Sequence, residues 1–311
     1  MVNVYLLLLG GLLLLFISGK FLVDSSVVIS KRLRIPRMII GLTVVAFGTS
    51  APELLVSIQA ALAGYSEIAI GNVVGSNISN ILLVLAITAL IFPIPVPASS
   101  VKQDWPVMMF VSILLFVFTL NGWLSRTEGI IFLGLLIVYI TLVVVKARGA
   151  KRTEDREEIK STMKWWVAGI IFLVSCVGLA FGADLLVDNV AIIAEEFGIS
   201  QRVISVTMVA VGTSIPELAT SVIAALKKET DISVGNIIGS NIMNVLSVLG
   251  ITSLISPIKV NAEISHFDIP WMLGISLLLL LLMLPASRSR ITRWEGSFMI
   301  MIYLLYIYFL F

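Results

Sequence analysis

Two acidic residues stand inside otherwise apolar segments, each in a copy of the same short motif. The motif is GTSAPEL at residues 48–54, with Glu53, and GTSIPEL at residues 212–218, with Glu217. An ionised carboxylate at the centre of a membrane costs roughly 2.5–3.5 kcal/mol even on a lenient scale. Lys20 is the only basic residue within the apolar segments, so the two glutamates cannot both be structural ion-pair partners. Their type and position therefore indicate a functional pair of carboxylates.

A second repeated motif supplies neutral oxygen atoms. GNVVGSNISN at residues 71–80 recurs as GNIIGSNIMN at residues 235–244. In isolation, such a motif of small residues is typical of close helix packing. Each copy also places a serine and an asparagine four residues apart on one helical face. These pairs are Ser76 with Asn80 and Ser240 with Asn244.

The combined ligand inventory consists of oxygen atoms. Carboxylates, hydroxyls and amides suit hard cations such as Ca²⁺ and Na⁺, whereas a softer metal would require Cys or His. Glu53 and Glu217 together carry two negative charges, which one Ca²⁺ or two Na⁺ would neutralise. This equivalence favours cation exchange.

Prolines next to the glutamates predict broken helices. Pro52 and Pro216 lack an amide hydrogen and clash with the preceding turn, so each should begin a new half-helix. The residues upstream then expose carbonyl groups, which a membrane tolerates only where they line a protein-enclosed cavity. Each glutamate falls in the first turn, where the helix dipole favours an ionised carboxylate. We predict a second pair of interruptions at the GNxxGSN segments of the two GN motifs, residues 71–77 and 235–241.

Composition assigns the chain to the membrane. Of its 311 residues, 59% are hydrophobic and 13% are charged, and the mean hydropathy is +1.07. A net charge of +2 does not indicate a nucleic-acid partner, and the single cysteine, Cys176, excludes an intrachain disulfide framework. The expected fold is all-α and polytopic, with the lipid bilayer as its surroundings.

Ten spans are predicted, with the longest and most charged connection after the fifth. They cover residues 2–22, 38–63, 70–92, 105–121, 128–146, 165–190, 202–226, 232–255, 269–284 and 295–311.

The basic residues predict the orientation of these spans. Of 21 Lys and Arg residues, seventeen fall on one side; Arg126, Arg202 and Lys259 fall on the other, and Lys20 lies in the first span. Because basic residues concentrate in cytoplasmic connections, the central loop should be cytoplasmic and both termini outside.

The chain is a duplicated unit. Both motif pairs are separated by 164 residues, which predicts a first five-helix repeat at 1–146, a linker at 147–164 and a second repeat at 165–311. Since five spans is an odd number, the second repeat should be inverted. Inverted repeats are common in secondary transporters, whose sites lie near the midplane on broken helices.

The paired GTSxPE and GNxxGSN motifs resemble the α-repeats of the sodium/calcium exchangers, within the calcium/cation antiporter superfamily. The resemblance covers the whole chain, and the chain is similar to the prokaryotic members of the family. It therefore implies a location in a prokaryotic cell membrane. It implies that Glu53 and Glu217 bind Ca²⁺ with the carbonyl groups of Thr49 and Thr213. It implies one flanking Na⁺ site formed by Ala46, Ser50 and Ser76 with Thr49 and Glu53. Its mirror image would be formed by Ala210, Ser214 and Ser240 with Thr213 and Glu217, and Asn80 and Asn244 would complete the middle.

One position departs from the family pattern. Many members carry aspartate where this chain has Asn244. If that aspartate is normally protonated, asparagine copies its shape and function survives. If it is ionised, this chain lacks one charge, which affects ion stoichiometry and potassium dependence. We favour the first alternative, because three ionised carboxylates around one divalent ion would leave a buried negative charge.

The expected function is Na⁺/Ca²⁺ antiport by alternating access, in a protein that functions as a monomer. One alternative is a proton-coupled Ca²⁺ exchanger, and another is a passive cation channel, although duplicated breaks around a central site suit occlusion better than a pore. An enzyme is not expected, because no histidine and no convincing nucleophile–base pair lies within the spans. The resemblance implies no cofactor, since Ca²⁺ and Na⁺ are transported.

Overall fold

The fold is all-α, with only short paired strands between helices. A computed structural model describes residues 2–149, 163–197, 211–284 and 290–310. In chain order, the helices within these ranges are α1 (Val2–Leu33), α2 (Arg37–Thr49), α3 (Ala51–Leu62), α4 (Ser66–Ile91), α5 (Ser100–Thr119), α6 (Arg126–Gly149), α7 (Trp165–Glu196), α8 (Ile215–Leu226), α9 (Thr230–Ile255), α10 (Ile264–Met283) and α11 (Arg293–Leu310).

Seven of these helices are long and apolar enough to cross a membrane, and the number is eight if α2 and α3, which are bent at their break, are counted as one span. The seven are α1, α4, α5, α6, α7, α9 and α10. These helices confirm an all-α polytopic membrane protein. The total of ten spans stays a prediction. Only residues 211–226 of the seventh predicted span are described, and α11, the tenth, is not among the seven helices that meet the length and hydropathy criteria.

The first helix is longer than predicted. The first span was predicted near residues 2–22, and α1 continues past that range to Leu33. Two contacts explain the difference: Asp24 forms an ion pair with Lys227, and Ser26 donates to the carbonyl of Leu22 at 2.7 Å. The helix therefore continues because its polar residues have partners within the protein.

A second ion pair joins α2 to the connection between α8 and α9. Arg37 lies 2.8 Å from Glu229. Burial raises the pKa of Glu229, an effect that the neighbouring Arg37 guanidinium opposes. With the Asp24–Lys227 pair, this contact ties the N-terminal part of the chain to its C-terminal part.

The predicted interruptions at the two GN motifs are wrong. Helices α4 and α9 run unbroken through residues 71–77 and 235–241, and each widens into a π-helical segment only afterwards, at Asn80–Leu85 and Asn244–Leu249. Glycine does not remove a backbone hydrogen bond as proline does, so a membrane helix tolerates it. The breaks predicted at the proline motifs do occur.

Helices α4 and α9 form the centre of the molecule and are mostly buried, whereas α1, α6 and α7 expose long apolar faces.

Small residues bring α9 against α2. A Cβ atom at Gly239 would lie 2.6 Å from the carbonyl oxygen of Leu42, and one at Gly235 would lie 2.6 Å from that of Met38. The glycines of the second GN motif therefore provide the close approach expected of them.

We expect Gly239→Ala to lower the thermal stability of the purified protein, because α2 would have to move away. Such overpacking costs about 1–3 kcal/mol. Gly134→Ala is the matched control, since Gly134 lies on an exposed face of α6 and a Cβ atom there would meet no other atom within 4 Å. Alanine there should leave stability unchanged or raise it. Equal melting temperatures for both variants would contradict the close packing of α2 on α9.

Short strands connect the two halves in a reciprocal manner. The strand β1 (Ile94–Pro95) pairs antiparallel with β4 (Arg290–Ile291), and β2 (Trp123–Leu124) pairs with β3 (Ile258–Lys259). Each pairing takes one strand from each half, so the halves contact each other through equivalent elements.

Candidate functional site

The two proline motifs adopt the same local structure. Helix α2 ends at Thr49, α3 begins at Ala51, and the two are bent by 42° at the break. Ser50 lies between them with φ −83° and ψ 8°, and Ser214 precedes α8 with φ −84° and ψ 0°. Neither serine caps its helix with its side chain. Their hydroxyl groups are therefore available for other contacts.

Both glutamates are completely buried in the first turns that follow the breaks. One carboxylate oxygen of Glu217, Oε1, accepts hydrogen bonds from Ser50 at 3.3 Å and from Ser240 at 3.4 Å. Glu217 and Ser50 come from different halves of the chain. The structure thus places Ser240 next to Glu217, the glutamate with which the resemblance groups it. Ser50, which the resemblance groups with Glu53, instead donates to Glu217.

Threonine hydroxyls link the halves in a crosswise pattern. Thr49 donates to the side-chain oxygen of Asn236 at 3.1 Å, and Thr213 donates to that of Asn72 at 3.2 Å. Thr49 lies 3.4 Å from the Ser240 hydroxyl, and the hydroxyls of Thr213 and Ser76 lie 3.0 Å apart. Each predicted threonine therefore contacts the GN motif of the opposite half.

Asn72 and Asn236 were not among the predicted site residues. The amide nitrogen of Asn72 donates to the Glu53 carbonyl at 3.3 Å and to the Ser57 hydroxyl at 3.1 Å. Asn236 makes the equivalent bonds to the Glu217 carbonyl at 3.5 Å and to Ser221 at 3.1 Å. These amides hold the start of each half-helix. Their signal in the sequence is repetition at the same 164-residue offset.

Asn80 and Asn244 each contact the opposite helix. The amide nitrogen of Asn80 donates to the side-chain oxygen of Asn241 at 3.1 Å, and that of Asn244 donates to the side-chain oxygen of Asn77 at 3.1 Å. Position 244 therefore provides a hydrogen-bond donor. Asparagine and a protonated carboxylic acid can both donate there, whereas an ionised carboxylate cannot.

Six buried side-chain oxygen atoms in this region have no hydrogen-bond partner among the described residues. They are both carboxylate oxygens of Glu53, Oε2 of Glu217, the amide oxygens of Asn80 and Asn244, and the hydroxyl of Ser214. Leaving such groups unpaired costs about 1–3 kcal/mol each, and more for charged ones. A cluster of them around two carboxylates is chemically suited to a hard cation.

The remaining predicted site residues differ in what can be said of them. Ala46 is fully buried, its carbonyl accepts from the Ser50 amide at 3.0 Å, and the same carbonyl oxygen lies 3.3 Å from the Thr49 hydroxyl oxygen. Ala210 lies outside the described residues. Within the described ranges, no group of three or more His, Cys, Asp or Glu side chains is placed to hold a metal. The candidate site therefore combines two carboxylates with neutral oxygens.

Fold and site together define a polytopic α-helical membrane protein with a buried cluster of oxygen atoms between two related halves. The chain belongs to the sodium/calcium exchanger protein family, which it matches over residues 3–145 and 167–311. This membership confirms the resemblance inferred from the paired motifs.

Relatives and solved structures match over nearly the whole chain. The sodium/calcium exchanger MaX1 of Methanosarcina acetivorans is 34% identical over 345 residues, covering 99% of this chain and 98% of the relative. A structure of the sodium-calcium exchanger NCX_Mj, soaked with Na⁺ and Sr²⁺, matches with a TM-score of 0.83 and 33% identity over 99% of this chain and 98% of that one. The Ca²⁺/H⁺ antiporter ChaA of Bacillus subtilis is 27% identical over 290 residues, covering 85% of this chain and 81% of the relative.

Proposed function

We propose that this protein is a secondary antiporter that exchanges Na⁺ for Ca²⁺ across a membrane by alternating access. The observation that carries the proposal is the set of buried oxygens of Glu53, Glu217 and their neighbouring motifs that have no hydrogen-bond partner within the described part of the chain. Similarity to the exchangers MaX1 and NCX_Mj along nearly the whole chain supports these two ions as its substrates. No enzymatic activity and no resident cofactor are proposed.

The same residues are assigned to the ions as the family resemblance implies. Ca²⁺ would bind between Glu53 and Glu217 with the carbonyl groups of Thr49 and Thr213. The flanking Na⁺ sites and the middle position would be formed by the following residues: Ala46, Ser50 and Ser76; Ala210, Ser214 and Ser240; and Asn80 with Asn244. The bond from Ser240 to Glu217 supports the second of these groups. The contacts of Ser50 with Glu217 and of Ser76 with Thr213 run between the two groups, so the two flanking sites would adjoin each other.

The charge of the site explains why exchange would be coupled. Two buried carboxylates without cations would be strongly unfavourable in a low-dielectric environment. When Ca²⁺ leaves, its charge must be replaced before the site can be enclosed again, and two Na⁺ ions provide an equal charge. Movement of the empty site is therefore suppressed, and one ion is transported in exchange for the other.

Alternating access requires elements that cover the site from outside the central helices. Helices α1 and α7 pack along each other, and α7 contacts the break directly, because a Cβ atom at Gly48 would lie 2.6 Å from the sulfur of Cys176. Gly48 immediately precedes Thr49. Sliding of α1 and α7 over the two breaks would open the site to either side of the membrane in turn.

The organisation of the protein in the membrane follows from its repeats and its basic residues. We assign residues 1–146 and 165–311 to two inverted repeats and residues 147–164 to a cytoplasmic linker. Both termini would lie outside a prokaryotic cell membrane. One copy of the chain would form a complete transporter, because both halves contribute to the same oxygen cluster.

A proton-coupled Ca²⁺ exchanger is the second candidate function. The observation in its favour is similarity to the Ca²⁺/H⁺ antiporter ChaA over 85% of this chain. Two buried carboxylates could exchange protons for Ca²⁺ with the same charge balance. Identity is higher to MaX1, at 34% against 27%, which favours Na⁺ as the coupling ion.

Uptake of radioactive Ca²⁺ into proteoliposomes distinguishes these functions. Vesicles are loaded with Na⁺, with K⁺ or with acidic buffer, diluted into Ca²⁺ medium, and held at a fixed membrane voltage. We expect accumulation above equilibrium only in Na⁺-loaded vesicles. Equal Na⁺ on both sides is the matched control and should abolish accumulation.

Other outcomes would contradict Na⁺/Ca²⁺ exchange in distinct ways. Accumulation in acid-loaded vesicles alone would identify proton coupling. Ca²⁺ entry that only follows its own electrochemical gradient, regardless of the ions inside, would identify a passive channel.

A further inference from the structure

Four asparagines form a hydrogen-bonded group where α4 and α9 cross. Asn77, Asn80, Asn241 and Asn244, here called the asparagine quartet, are each at most 2% exposed. Asn244 donates to Asn77, and Asn80 donates to Asn241, so each bond joins the two halves of the chain. Asn80 and Asn244 are the members assigned to ion binding. Asn77 and Asn241 have no role in the assignments above.

The orientation of Asn77 is determined by a group that can only accept. Its amide nitrogen lies 3.2 Å from the backbone carbonyl oxygen of Asn241 and 3.7 Å from the sulfur of Met272. Neither a carbonyl nor a thioether donates a hydrogen bond, so the amide nitrogen of Asn77 must face them. The side-chain oxygen of Asn77 consequently faces Asn244.

This orientation determines that of Asn244. To satisfy the oxygen of Asn77, Asn244 must present its amide nitrogen, at 3.1 Å. Its own side-chain oxygen then points away from Asn77, and this oxygen is buried and has no partner among the described residues. The unpaired atom is therefore an acceptor, which a cation requires.

The other half of the quartet follows the same rule. The amide nitrogen of Asn241 lies 3.6 Å from the sulfur of Met108, so its oxygen faces Asn80 and accepts at 3.1 Å. The side-chain oxygen of Asn80 is likewise buried and, within the described ranges, unpartnered. The two equivalent bonds between the halves, Asn244 to Asn77 and Asn80 to Asn241, thus leave the side-chain oxygens of Asn244 and Asn80 free to accept from or bind another group.

We propose that Asn77 and Asn241 are positioning residues that orient the amides of Asn244 and Asn80 so that oxygen, and not nitrogen, faces the transported cations. The inference rests on the proposed function, because it assumes that these oxygens bind Ca²⁺ or Na⁺. An amide turned by 180° would present its partly positive nitrogen to the cation and weaken binding. Asn77 and Asn241 act through their neighbours and need not touch an ion.

Asn77→Leu tests the proposal, since leucine has a similar size and makes no hydrogen bond. We expect the Ca²⁺ concentration for half-maximal uptake to rise about tenfold, because the oxygen of Asn244 is no longer held toward the ion. The Ca²⁺ concentration that raises the melting temperature of the purified protein should shift by the same factor. An unchanged Ca²⁺ concentration in both assays would overturn the proposal.

Ile78→Ala is the matched control for loss of packing. Ile78 is the neighbour of Asn77 in the same helix and is fully buried, but its side chain cannot form a hydrogen bond. Its replacement should lower the melting temperature without Ca²⁺ and leave the half-maximal Ca²⁺ concentration unchanged. A tenfold rise for Ile78→Ala as well would show that any packing defect affects the ions, and would contradict a specific role of Asn77.

Double variants identify the route of the effect. If Asn77 acts through Asn244, then Asn77→Leu should have little further effect in an Asn244→Leu background, whereas its effect should add to that of Asn80→Leu. The crossed pair Asn241 and Asn80 provides the same test if Asn77→Leu does not fold. Additive effects within both crossed pairs would overturn the proposal.

The two proposals fail in different ways. If the wild-type protein shows no Na⁺-driven Ca²⁺ uptake, the proposed function is wrong, and the melting-temperature assay still measures the influence of Asn77 on Ca²⁺ binding. If the wild type exchanges normally and Asn77→Leu binds Ca²⁺ with unchanged affinity, only the positioning role is wrong.

Discussion

Replacement of either Glu53 or Glu217 by glutamine is expected to abolish Na⁺-driven Ca²⁺ uptake while leaving the protein folded. Each change leaves one negative charge for a doubly charged ion in a fully buried site. We expect uptake to fall by at least about a hundredfold, which corresponds to roughly 2.7 kcal/mol. The measurement is the initial rate of Ca²⁺ uptake into Na⁺-loaded proteoliposomes at matched protein density.

Stability separates loss of function from loss of fold in these variants. Neither carboxylate oxygen of Glu53 has a partner among the described residues, so Glu53→Gln removes an unpaired buried charge and should not lower the melting temperature in the absence of Ca²⁺. Glu217 accepts hydrogen bonds from Ser50 and Ser240, so the melting temperature of Glu217→Gln without Ca²⁺ should be slightly lower than that of Glu53→Gln.

An exposed glutamate provides the matched control. Glu67→Gln also removes one negative charge, but Glu67 lies exposed in the first turn of α4. Its uptake should equal that of the wild type. Near wild-type uptake by either Glu53→Gln or Glu217→Gln would mean that the buried pair does not bind the transported ion.

The sequence predicted the parts of the site that depend on chemical type. Glu53 and Glu217 were evident because ionised groups are costly in apolar segments and have few reasons to be there. The break at residue 50 was evident because proline removes a backbone hydrogen bond. These features follow from single residues and need no knowledge of how the helices pack.

Contacts between elements could not be predicted in this way. The bond from Asn72 to the Glu53 carbonyl depends on how far α3 turns away from α2, and the contact of Asn77 with Asn244 depends on where α4 crosses α9. Spacing along one helix does not determine either relation. The end of α1 was misplaced for the same reason, because the partner of Asp24 is Lys227, about two hundred residues away.

The inverted arrangement of the repeats predicts opposite accessibility of two equivalent residues. Ser66 is the first residue of α4, and Thr230 is the first residue of α9, 164 residues later, so the two have the same local structure. Five spans separate them in the predicted topology, which places Ser66 outside and Thr230 inside the cell. Both are partly exposed, so a cysteine at either position can react.

Labelling of intact cells with an impermeant maleimide tests this arrangement. Each position is changed to cysteine in a Cys176→Ala background, which removes the only native thiol. We expect full labelling of Ser66→Cys in intact cells and none of Thr230→Cys until the cells are opened. The Cys176→Ala protein alone is the control and should remain unlabelled in both conditions.

Equal labelling of both cysteines in intact cells would indicate parallel repeats. In that case the half-helices that carry Glu53 and Glu217 could not point into the membrane from opposite sides. The assignment of both glutamates to a single site between two inverted halves would then be contradicted.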